Sequence, residues 1–170
     1  MSHAKTPDAG TAADVLIVID TVTLLDAHSG AADAAVDVDG SGYYAVAPGG
    51  EALEGVSGAP WRIDVSPGDC VRLRWTPLAM RGEHAVLLLL SLTDDAPLSA
   101  LQQHVNTDAT RYVPQSAAPE QPVPRPALDA YWQADVVASG STSLQVEATV
   151  TDRDAAVIGR FRWLLPIVVP

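Results

Sequence analysis

The 170-residue sequence predicts an all-β domain: an antiparallel β-sandwich, jelly-roll or Ig-like, with at most one short helix. Three observations predict it. Apolar or alternating runs of strand length recur about every ten residues, as in Val71-Arg-Leu-Arg-Trp75 and Leu144-Gln-Val-Glu-Ala-Thr-Val-Thr151. Turn chemistry separates them, as in Ser66-Pro-Gly-Asp69 and Thr151-Asp-Arg-Asp154. The composition, 48% AVILMFWYC residues and 18% charged, is that of a folded core rather than a disordered or fibrous chain.

Taken in order, residues 1–13 are small and polar and form an expected flexible segment ahead of a single domain over 14–170. Asp14-Val-Leu-Ile-Val-Ile-Asp20 is β-branched and predicts a strand buried on both faces, with 21–26 as its extension. Ala, Asp, Gly and Ser fill 27–42, a loop. Tyr43-Tyr-Ala-Val-Ala47 is a short strand stopped by Pro48-Gly-Gly50. Residues 61–65 alternate, and then 71–75 place Val71, Leu73 and Trp75 on one face with Arg72 and Arg74 on the other. The apolar run at 85–92, interrupted only by Ser91, predicts the central core strand. Residues 98–105, following Pro97, predict one or two helical turns. Five of the thirteen prolines lie between Pro114 and Pro126, an extended surface crossing. Strands at 131–137, 144–151 and 157–163 follow, the last two as a hairpin. The tail, Trp163-Leu-Leu-Pro-Ile-Val-Val-Pro170, is apolar and its prolines suit a sheet edge.

Acids outnumber bases 21 to 10, a net charge of −11, and residues 1–60 hold nine acids against Lys5 alone. Such a surface disfavours nucleic acid and anionic membrane as partners and favours solubility. The longest fully aliphatic run, 85–90, is far short of the roughly 20 residues of a membrane helix. The apolar run at 15–19 is too short for a secretory leader, so export by that route is not expected. The lone cysteine, Cys70, excludes an internal disulfide and a thiolate cluster; its place predicts a buried or half-buried, inert thiol.

Few residues carry a chemical pattern. Asp37, Asp39 and Ser41, with Gly40, Gly42 and nearby Asp33, resemble part of a calcium loop. Ala35 and Val46 stand where an EF-hand needs its first and twelfth ligands, so ordinary turn chemistry explains the loop as well. His28, His84 and His104 lack metal-type spacing, and Glu83-His84 is the only adjacent acid–base pair among them. No nucleophile elbow, P-loop or dinucleotide fingerprint occurs. Trp61, Trp75, Trp132 and Trp163 supply core packing or, alternatively, a sugar-stacking platform. Arg72 with Arg74, and Arg160 with Arg162, pair at alternate positions on solvated faces. No catalytic, cofactor or metal residue is assigned.

The order and spacing of several segments resemble the AidA/PixA family of bacterial inclusion-body proteins. They are residues 14–21, Gly42-Tyr-Tyr-Ala-Val46, 65–75 with the aliphatic strand from His84, Tyr131-Trp132, and Thr151-Asp-Arg-Asp154 followed by Gly159, Phe161, Trp163 and Pro166. Ala155 stands where that family's turn carries glycine, and Leu164-Leu165 where an aspartate precedes the proline. The resemblance implies a β-sandwich, accumulation in the bacterial cytoplasm, and in some relatives density-dependent expression in host-associated bacteria. It implies a non-enzymatic accessory protein without cofactor. A carbohydrate- or small-ligand-binding module is the alternative, with a glycan as its ligand. The apolar tail adds an expectation of self-association, as a dimer through a sheet edge or the last strand.

Overall fold

The structure is a computed structural model that describes residues 10–39, 41–47, 52–53 (backbone only), 60–79 and 82–170. Gly40 and the Pro48-Gly-Gly50 stop signal lie outside the described residues, as does most of the predicted N-terminal segment. In chain order the elements are β1 (Ala12–Ile19), α1 (Thr21–Ala27), β2 (Val36–Asp37), β3 (Tyr43–Val46), β4 (Ala52–Leu53) and β5 (Trp61–Arg62). There follow β6 (Cys70–Pro77), β7 (Ala85–Leu92), β8 (Gln102–Val113), β9 (Val123–Asp135), β10 (Gly140–Thr151) and β11 (Val157–Val169).

Two sheets form the sandwich. One runs β4-β3-β1-β6-β9-β8, the other β2-β11-β10-β7, with β5 also pairing β11. Most pairings are antiparallel; β1–β6, β2–β11 and β5–β11 are parallel, so both sheets are mixed. The core between them takes Val15, Ile17 and Ile19 from β1, Val71 and Leu73 from β6, and Val86, Leu88 and Leu90 from β7. Leu144 to Val150 and Phe161 to Val169 contribute every second side chain to it.

Several elements differ from the sequence reading, each for a physical reason. Residues 21–27 are helical instead of extending β1. Asp20 caps the helix, its carboxylate accepting from the Thr23 amide at 3.1 Å and the Thr23 hydroxyl at 2.8 Å, and Leu24 is buried beneath. Residues 98–105 are not helical. Leu98 bridges Val136, and 102–105 pair with 133–130, so a tertiary strand partner wins over a helix of marginal length. The proline-rich stretch is largely a connection between two long strands, and β9 takes up Pro124 and Pro126.

The apolar run of β7 is an edge strand, not the central one. It alternates after all: Val86, Leu88 and Leu90 point inward, while Leu87 and Leu89 are 63% and 56% exposed. The C-terminal tail is correspondingly central. β11 has β10 on one side and β2 and β5 on the other, and Trp163, Leu165, Ile167 and Val169 are buried. Pro166 fits because of where its nitrogen points. Its partner Ser143 turns its backbone toward Thr93 of the next strand, so Pro166 faces away from β10. On that side β2 pairs at 161–162 and β5 at 167–168, leaving 163–166 without a ladder partner among the described residues.

Candidate functional site

The outer side of the six-stranded sheet gathers more polar chemistry than any other described surface. Strand alternation places Asp14 of β1, Arg72 and Arg74 of β6, Asp129, Tyr131 and Gln133 of β9, and His104 of β8 on it. Arg74 forks onto Asp129, Nε to Oδ1 and Nη2 to Oδ2 at 2.9 Å each, and its Nη1 also donates to Asp14. Arg72 Nε donates to Gln133 at 3.0 Å. Both guanidinium groups lie over the Tyr131 ring, at 5.6 Å for Arg72 and 4.8 Å for Arg74. The His104 ring stacks on Tyr131 with centroids 5.1 Å apart. The Asp129 hydrogen bond holds the Arg74 guanidinium protonated well above its ordinary range; reciprocally, Arg74 holds the Asp129 carboxyl below the usual carboxylate value. Every charge named here already has a partner, so the arrangement ties β1, β6 and β9 together across their outer side.

The tryptophans are placed for packing. Trp61, Trp132 and Trp163 are buried and Trp75 is half-buried. Trp163 stacks on Tyr43 at 4.7 Å. Trp75 Nε1 donates to the Val86 carbonyl at 2.8 Å and Trp132 Nε1 to the Leu88 carbonyl at 3.0 Å. Those carbonyls lie on the free edge of β7, since it is the alternate residues, in step with Thr93, that face β10. Burial, and then the charge of Asp39, push the Tyr43 phenol up to about 12.

The other residues with a chemical pattern are dispersed. Both Asp37 oxygens accept from Arg162, at 3.1 and 3.2 Å, while Ser41 donates to Asp39 at 3.1 Å. Among the described residues no three His, Cys, Asp or Glu side chains come together as a metal-binding group. Glu83 and His84 part ways: Glu83 pairs with Arg153 at 3.6 Å, and His84 Nδ1 shares a hydrogen bond with the Thr21 hydroxyl at 2.7 Å. His28 lies against Phe161. Arg160 donates to the Ala32 carbonyl. Cys70 is half-buried and free.

One surface escaped the sequence reading. Beyond Trp132, β9 leaves β6 and, among the described residues, pairs with β8 alone, so the two strands project as a ribbon. A bulge between Asn106 and Ala109 opens a hollow of about 260 Å³ bordered by Asp108, Thr110, Arg125 and Pro126. Val105, Tyr112 and Leu128 on this ribbon are 60%, 68% and 70% exposed. The signal for it was the density of prolines, which marks an exposed edge as well as a crossing.

Two mixed sheets around a closed core define a β-sandwich protein, in which Trp61 Nε1, Trp163 Nε1 and Thr142 Oγ1 are buried without a hydrogen-bond partner among the described residues. The chain matches the PixA family of inclusion body proteins over residues 11–169, and it belongs to that family. A solved inclusion body protein of the PixA family from Burkholderia cenocepacia J2315 shares the fold. It has a TM-score of 0.71 and 17% identity, over 98% of this chain and 100% of that one. No curated protein matches the sequence significantly. Among the described residues no helix is long and apolar enough to cross a membrane.

Proposed function

We propose that this protein is a non-catalytic member of the PixA family that acts by accumulating in the bacterial cytoplasm through self-association, with a dimer as the unit. The observation that carries it is the exposed apolar surface: Leu87, Leu89, Tyr112 and Leu128 are each more than half exposed. They fall on two surfaces, the outer side of β7 and the β8–β9 ribbon, and exposed apolar groups clustered on one surface mark an interaction site. Membership of an inclusion body family supports the same reading. Production that rises with cell density and a setting in host-associated bacteria extend it, on the strength of the family likeness. Light scattering on the purified chain tests the dimer: a mass near twice 17.8 kDa is expected, and one near 17.8 kDa at all concentrations ends the reading.

The stacked His104–Tyr131 pair supports a second reading, a glycan-binding module. Both arginines already occupy the Tyr131 face, which leaves less ring to offer a sugar. A glycan array tests it, with signal lost on Tyr131→Ala as the expected result and an array without signal as the refutation.

A further inference from the structure

We infer that the projecting β8–β9 ribbon is the dimer interface, its core-facing side laid against the same side of a second copy of this chain. The inference rests on the self-association reading above and supplies its surface. Trp132 and Ala134 fix which side of β9 faces the core, because both are buried. Alternation and the β8–β9 register carry that side outward through Val105, Leu128, Thr110, Pro126, Pro124 and Tyr112. In the body of the sandwich this side is covered by the second sheet. Among the described residues that sheet ends at β7, so the ribbon has one layer where the body of the sandwich has two.

The charges are sorted accordingly. Arg111 and Arg125 sit directly opposite one another on the other side of the ribbon, the side that carries Asp129, and Arg111 is close enough to help hold the Asp129 carboxyl down. Like charges opposed in a ladder destabilise it, and a ribbon solvated equally on both sides gains nothing from confining them to one. The paired core-facing positions carry no charge, and the one acid beside them is Asp108, in the bulge opposite Leu128. For a chain of net charge −11, most approaches to its own copy are repulsive, and a side whose paired positions are all uncharged is where two copies meet at least electrostatic cost. A second ribbon is also the occupant of matching length and width. Two of them packed roughly 10 Å apart would each provide the layer the other lacks. A two-stranded ribbon alone is marginal in water, so this contact stabilises the arm as well as the dimer. The contact is isologous, which closes the assembly at two copies.

The test uses the full chain in a dilution series followed by light scattering. Three proteins are compared: wild type, Tyr112→Asp with Leu128→Asp, and Leu87→Asp with Leu89→Asp on the outer side of β7. Near-UV circular dichroism of the tryptophans, which lie in the sandwich body, reports whether each is folded. Should the charged pair disturb the fold, Tyr112→Ser with Leu128→Ser replaces it. The expected result is a wild-type dimer whose dissociation midpoint rises at least about tenfold in the ribbon variant and less than about twofold in the β7 variant. A wild-type dimer that ignores the ribbon substitutions, or that yields to the β7 pair instead, overturns the ribbon interface and leaves self-association standing. A wild-type monomer at every concentration overturns both.

Discussion

Ala155 has φ +62°, the left-handed region, in the turn that joins β10 to β11. Asp152 builds that turn: its Oδ1 accepts from the amides of Asp154 and Ala156, both at 2.9 Å. A side chain at such φ costs about 1–2 kcal/mol, and glycine recovers it less roughly 0.5–1 kcal/mol of chain entropy. Ala155→Gly is therefore expected to raise the melting temperature by about 2–4 °C in a thermal scan. Tyr43 gives a pH signature. Its folded value of about 12 lies above the ordinary 10, so its contribution to stability is complete below pH 10 and is lost as pH rises from 10 to 12. Of the four tyrosines, one should ionise near pH 12 in ultraviolet titration, and Tyr43→Phe should abolish that step. Asp129 has the opposite sign. Its lowered value makes its contribution present above the ordinary carboxylate range and lost as pH falls through the folded value. Its side chain is 33% exposed, so Asp129→Asn should cost less than about 1 kcal/mol in urea unfolding at neutral pH and nothing in strong acid.

The edge strand β7 shows how an element is protected by another sheet. Its outward carbonyls at Val86 and Leu88 would be open templates for a foreign strand. Indole N–H groups of Trp75 on β6 and Trp132 on β9 occupy them from across the sandwich. Each tryptophan therefore fills the core and closes an edge. Trp132→Phe keeps most of the ring area but leaves the Leu88 carbonyl unpaired, at a cost of about 2 kcal/mol in urea unfolding. The same substitution should speed strand-mediated aggregation on shaking, read by turbidity. Unchanged turbidity beside a lowered urea midpoint would assign the indole to packing alone.

For the molecule as a whole, charge opposes association while apolar surface drives it. At net −11 with a pI near 4.5, each copy repels the next at neutral pH. Salt screens that repulsion, with a Debye length of about 10 Å at 0.1 M. The dimer is expected to tighten as salt is raised and solubility to fall toward a minimum near pH 4.5, both followed by light scattering. Association that weakens with salt would mean that ion pairs across the interface, rather than apolar burial, hold it.

Local chemistry by itself determined most of the strands of this protein. The period-two pattern of 71–75 and 144–151 is written in consecutive residues, and so are the Ser66–Asp69 turn and the Asp152 turn. Local chemistry left the four tryptophans open between core packing and a stacking platform; the fold buries Trp61, Trp132 and Trp163 and half-buries Trp75. What lay beyond it were choices between neighbours. Whether 85–92 is central or at an edge depends on which strands pair with it, and whether the apolar tail is edge or centre depends on β2 and β5 arriving from more than a hundred residues away. Strand formation at 102–105 and the polar cluster of Arg72, Arg74, Asp129 and Tyr131 likewise required β9 to lie against both β6 and β8. Periodicity fixes which side chains share a face; only the pairing of distant strands decides what that face meets, because register and sheet order are properties of contacts and not of any one segment.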